Sequence, residues 1–142
     1  MVTYAYLQRL YRELRAMSSY QRTANAKDAY QKLEDLLQGQ MGIGPGYFTA
    51  TRIGCALLAA DGQLTMAEYE MFRVFAESSC TYDELYDTVA SVSKDFRGAL
   101  SHLTTRGEEV RMVGGYLAAA IFAEKGYFGD NEETIFRILA QD

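Results

Sequence analysis

The sequence predicts an all-α fold of seven or eight helices: two related helix–corner–helix units packed about a pseudo-twofold, plus an N-terminal helical hairpin. Three observations lead there. The 142 residues are 49% apolar and 23% charged, an ordinary globular balance, and they include a single proline. Apolar residues recur at spacings of three and four over most of the chain. No stretch alternates apolar and polar residues between the tight turns that a β-meander needs, and the flanks of Asp61-Gly62 keep helical periodicity.

The first helix is expected over about Thr3 to Met17, where Tyr4, Leu7, Leu10, Tyr11, Leu14 and Met17 form one stripe. A second, about Ala24 to Gln38, buries Ala26, Ala29, Tyr30, Leu33, Leu36 and Leu37, with Gly39 as its stop. These two make the hairpin of residues 1–40. The stretch G-I-G-P-G, residues 42–46, reads as a hinge. It lacks the preceding strand and following Lys-Ser or Lys-Thr of a phosphate loop. Residues 47–142 then form a module within the same single domain of 1–142. Its helices are expected over about Tyr47 to Ala60, Met66 to Glu77, Thr81 to Ser93, Asp95 to Leu103, Arg106 to Glu124 and Asp130 to Ala140. Threonine caps with glutamate three residues on, Thr65/Glu68 and Thr81/Glu84, start two of them.

The module repeats itself. Residues 52–75 set against 116–139 pair Ala56 with Ala120, Ala59 with Ala123, Gly62 with Gly126, Glu68 with Glu132, Phe72 with Phe136 and Arg73 with Arg137. The small residues of the two first arms, Ala50 to Ala60 and Gly115, Ala119 and Ala123, lead us to expect these arms to cross at the centre. Such close packing also accounts for Gly114 and Gly115 inside a helix.

The corner A-A-D-G-Q-L-T-M-A-E, residues 59–68, shares D-G-x-L-x-x-x-E with a calcium loop. With Asp61 at loop position five, positions one and three fall on Leu57 and Ala59, which have no side-chain oxygen. It is therefore not an EF-hand. Gly62 as helix stop, Thr65 and Glu68 as capping box, and Leu64 and Tyr69 as staple explain the stretch mechanically. Asp61 is left over. With Glu68, Glu70, Glu124, Asp130 and Glu132 it makes an acidic set that could hold a divalent cation (Ca, Mg, Mn or Zn) if the two corners meet; capping and solvated acids are the plain alternative.

A-x-x-A-A-D-G-x-L-T-x-x-E, followed some sixty residues later by a second helix–glycine corner–helix, resembles the TerB-like module of bacterial tellurite-resistance proteins over roughly residues 47–142. The resemblance implies an all-helical fold of two related halves and a non-enzymatic role in stress response, as an adaptor or metal binder. It implies metal ligands at Asp61 and Glu68. Lys125, standing where the second corner would repeat Asp61, departs from that pattern.

Charge and inventory narrow the function. The net charge of -5 divides into +2 over residues 1–46 and -7 over the rest, which argues against a nucleic-acid partner. Arg9, Arg12 and Arg15 read as a solvated face. His102 is the only histidine, and neither cysteine has a catalytic context, so no enzyme is expected and no catalytic residue is assigned. Eleven tyrosines and seven phenylalanines exceed what the core demands and favour a protein partner, or a second copy of the chain in a homo-oligomer. Cys55 and Cys80 lack metal-ligand spacing and fall too far apart on one hairpin for a disulfide. Free thiols, no apolar leader and no membrane span are the expectations of a cytoplasmic protein.

Overall fold

A computed structural model describes all 142 residues as eight helices and no strand. They are α1 (Tyr4–Arg15), α2 (Ser19–Met41), α3 (Ile43–Leu58), α4 (Met66–Phe75), α5 (Tyr82–Ser93), α6 (Phe96–Thr105), α7 (Glu108–Lys125) and α8 (Asp130–Leu139). The all-α class is as expected, the starts of α4 and α5 directly follow their threonine caps, and α8 starts at Asp130 as expected. Capping boxes are closed at Ser18/Gln21, Thr65/Glu68 and Thr81/Glu84.

α7 is the central helix. Val110, Gly114, Gly115 and Leu117 to Ala123 are all buried, and α1, α2, α4, α6 and α8 lie against it. Its small residues set how close those neighbours come. A Cβ on Gly114 would lie 2.4 Å from Leu103 of α6, and one on Gly115 would lie 2.8 Å from Leu7 of α1. The small-residue arms therefore serve a different crossing from the one expected. α3 touches α7 only briefly, because α2 lies against both.

The first forty residues are not a separate hairpin either. α1 and α2 make little backbone contact with each other, and each docks on α7. Leu7, Leu10, Leu14, Ala26, Tyr30, Leu33 and Leu37 belong to the same continuous core as Phe72, Phe122 and Phe136. The two chain ends also meet: Gln141 N–H donates to the Val2 carbonyl at 2.8 Å, and Val2 N–H donates to Gln141 Oε1 at 2.7 Å.

Gly42–Gly46 is likewise no hinge. α2 continues through Gly39 to Met41, the chain turns at Gly42, and Ile43 to Gly46 form the first turn of α3. Pro45 is tolerated there because the first-turn N–H groups have no partner within the helix. Gly46 is needed for close approach: a Cβ would lie 2.5 Å from the Gln38 backbone. The segment is a tight corner that locks α2 onto α3.

α2 runs antiparallel to α7. Ser19, at its start, bonds Glu124 near the end of α7, whereas Gln40, at its end, donates to the Arg106 carbonyl just before α7 begins. Its 23 residues span about 35 Å at helical rise. The Gly42 corner therefore lies far from the end of α7 where the two repeated corners meet.

Candidate functional site

The corners that repeat at an interval of 64 residues do come together. Gly62 and Gly126 take positive φ values of 76° and 80°, which a side chain would oppose, and each lets the chain leave its helix and reverse. In the first corner, Thr65 N–H and the Thr65 hydroxyl both donate to Glu68 Oε1 at 3.0 Å, and Glu68 N–H donates back to Thr65 Oγ1 at 3.1 Å. In the second, Gly129 N–H donates to Glu132 Oε1 at 2.7 Å. Gly129 has no side chain to return the bond, so Glu132 makes only half a box. Both glutamates are wholly buried.

Lys125 joins the two corners. Its side chain is 3% exposed, and its ammonium lies 2.7 Å from Glu132 Oε2 and 3.5 Å from Asp61 Oδ2. Asp61 is held in turn by Gln63 N–H, which donates to Oδ1 at 3.1 Å. Phe122, one turn back on α7, places its ring 5.3 Å from the ammonium. Glu68 completes the surroundings. Burial pushes its carboxyl up to about 7, against the lowering effect of the Thr65 bonds and of Lys125, while Asp61 adds to the rise. Glu68 Oε2 is buried with no hydrogen-bond partner.

Of the six acids expected to gather, Asp61, Glu68 and Glu132 surround Lys125, and the other three do not join them. Glu70 is an exposed partner of Arg73 at 3.9 Å. Asp130 is exposed in the first turn of α8. Glu124, adjacent to Lys125 in sequence, belongs to a second buried pair: Arg22 Nε lies 3.1 Å from its Oε1, and the Ser19 hydroxyl lies 2.8 Å from both of its oxygens. Arg22 also donates through Nη1 to the carbonyls of Leu14, Arg15 and Met17, closing the carboxyl end of α1. Sequence reasoning counted Arg22 only in the charge balance and assigned it no role. The available signal was the buried stripe of α2, since stepping back one turn from Ala26 lands on position 22.

A divalent cation is the group the family resemblance implies at these corners. The residues present do not fit one. The place between Asp61 and Glu132 is taken by an ammonium, and no group of three or more His, Cys, Asp or Glu side chains is arranged to hold a metal ion. What the cluster does chemically is hold α7, α8 and the α3–α4 corner together.

The other reactive side chains are engaged in structure. Arg106 Nε donates to His102 Nδ1 at 3.0 Å, and burial, with Arg106 and Arg52 nearby, lowers the histidine below its usual range. Cys55 is buried, its thiol pushed up to about 12 by desolvation; Cys80 is half-buried, and both are free. Several tyrosines tie loops down: Tyr69 donates to the Cys80 carbonyl at 2.8 Å and Tyr82 to the Leu64 carbonyl at 2.6 Å.

Other aromatics face outward. At the Gly42 corner Ile43, Tyr47 and Phe48 are 78%, 56% and 63% exposed. Phe48 borders a groove of about 410 Å³ between α3 and α5, lined also by Thr51, Arg52, Asp87, Ser91 and Val92. No helix of the chain is long and apolar enough to cross a membrane. Comparison with protein-family models, with curated proteins and with solved structures returned no match to this chain.

Proposed function

We propose that the chain is a non-enzymatic, TerB-like interaction module of the cytoplasm with a role in stress response, and that it binds a protein partner through the Gly42 corner. One contrast carries the reading. The buried ionisable groups are engaged with one another at the Lys125 end of α7, where they join helices. At the far end of α2, Ile43, Tyr47 and Phe48 present apolar area beside a polar-rimmed groove. A charge cluster sealed in the core presents no base or nucleophile to an outside substrate, and exposed aromatics next to polar groups have the composition of an interface core. The resemblance to TerB-like modules is supported by the all-helical fold and by the meeting of the two glycine corners.

The same patch favours one second reading, self-association. Because α1 and α2 dock on α7 within the chain, the self-association reading favours a dimer face to face at the α3–α5 end. Sedimentation velocity over a wide dilution series separates the two. A photo-crosslinking residue placed at Tyr47 is expected to give discrete adducts in cells. The same residue at Tyr127, which is 62% exposed at the other end, is the control. Equal and diffuse labelling from both positions, with a concentration-independent monomer, would refute an interaction surface at the Gly42 corner.

A further inference from the structure

The two corners carry corresponding residues at corresponding places: Asp61 matches Lys125, and Glu68 matches Glu132. The fold brings all four together, with Glu68, Glu132 and the Lys125 side chain buried and Asp61 at the partly exposed edge. Had the second corner kept the residue of the first, four carboxyls would share this place, and their charges would have to be met by a cation or by protonation. The observed chain has its sole charge reversal there. The Lys125 ammonium sits within ion-pair distance of a carboxylate from each corner, at 3.5 Å and 2.7 Å. Glu68 Oε2, wholly buried and without a hydrogen-bond partner, is an acceptor the lysine leaves unused.

We infer that Lys125 is a built-in cation: its ammonium does for this chain what a bound divalent ion would do for an all-carboxylate junction, so the corners are joined without metal. Two features of the surroundings suit a tethered ammonium. Phe122 offers its ring face to the charge, which hard divalent cations with their oxygen preference do not use. Lys125 also closes the last turn of α7, where the carbonyl end of the helix favours a positive charge. The inference is independent of the partner-binding reading and can fail without it.

The test is thermal unfolding of the whole chain in EDTA and then with Ca²⁺, Mg²⁺, Mn²⁺ or Zn²⁺ at constant ionic strength. The wild type is expected to unfold at the same midpoint throughout. Lys125→Asp restores a carboxylate to the second corner; it is expected to melt lower in EDTA and to recover by roughly 5 °C or more at an ion concentration ~100 times its dissociation constant. Recovery must disappear in Lys125→Asp with Glu132→Gln, which separates this cluster from adventitious surface acids. Lys125→Ala removes the ammonium without adding charge and carries the test if Lys125→Asp does not fold. The inference is overturned if the wild-type midpoint rises as much as the variants', if no ion moves either variant, or if Lys125→Ala stays unfolded with every ion.

Discussion

Replacing Glu68 by glutamine separates the structural work of this side chain from the cost of its charge. The amide keeps Oε1, which accepts both Thr65 bonds, and removes the titration. In the native protein burial raises the carboxyl from 4.5 to about 7. An acid whose folded value lies above its unfolded value binds its proton more tightly when folded. Stability therefore rises as pH falls from 7 toward 4.5, and the full penalty of the buried charge stands above pH 7. A displacement of about 2.5 pH units corresponds to about 3 kcal/mol. Urea unfolding of wild type and Glu68→Gln at intervals from pH 4.5 to 8 should show the variant gaining about 3 kcal/mol on the wild type across that window. The gain should be flat above pH 7.5 and small near pH 4.5, where the protonated acid and the amide are near-isosteres. A difference that stays constant with pH would refute the reasoning. It would mean that Lys125 compensates the Glu68 charge fully and that the orphaned Oε2 carries no electrostatic cost.

The other predictions concern packing and the second ion pair. Arg22→Met leaves Glu124 buried with only the Ser19 hydroxyl, and leaves the carbonyls of Leu14, Arg15 and Met17 at the end of α1 without their donor, so urea unfolding should show a loss of about 3–5 kcal/mol. Gly39→Ala, in an open stretch of α2 with nothing within 4 Å of the added carbon, should stabilise by about 1 kcal/mol. Gly46→Ala, seven residues on, drives a carbon into the Gln38 backbone and should destabilise by about 3 kcal/mol or more. The native protein should show one thiol reactive toward a disulfide reagent, Cys80, and a second only in denaturant, because Cys55 is buried and its thiolate strongly disfavoured.

Helix positions were legible in the sequence because they depend on local rules. Thr65, Thr81 and Gly126 mark helix ends by hydrogen bonding and φ within a few residues of themselves. The Gly42–Gly46 corner misled because two effects compete there. Glycine and proline usually interrupt helices, but proline fits a first turn, and Gly46 is required by a backbone nearby in space. Nothing in residues 42–46 announces Gln38 as that neighbour. The crossing of α7 was misassigned for a similar reason. Small residues show that something comes close, and only the fold shows that Leu103 and Leu7 are what approach. At the candidate site the repeat paired Glu68 with Glu132 and the D-G corner singled out Asp61, whereas Glu70, Glu124 and Asp130 were included only for being acidic and near a corner. Arg22 was missed because a charged residue in a mostly polar turn looks solvated until its carbonyl partners are in place.

The last turn of α7 holds two charges that face different ways and lock the helices around it. Glu124 and Lys125 are consecutive, so a helix points them about 100° apart. Glu124 turns to Arg22 and thereby to α1 and α2; Lys125 turns to Asp61 and Glu132 and thereby to the α3–α4 corner and α8. Two opposite charges side by side on the central helix thus bind both halves of the molecule. Neither group has a surface left for a ligand: their side chains are 6% and 3% exposed. An external charged partner at this end would have to break a buried pair before making its own, at a cost of several kcal/mol. At the Gly42 corner no such pair must be broken, and Ile43, Tyr47 and Phe48 lose water contact on docking, which favours association. Recognition through the Gly42 corner, as proposed, would thus leave both buried pairs intact.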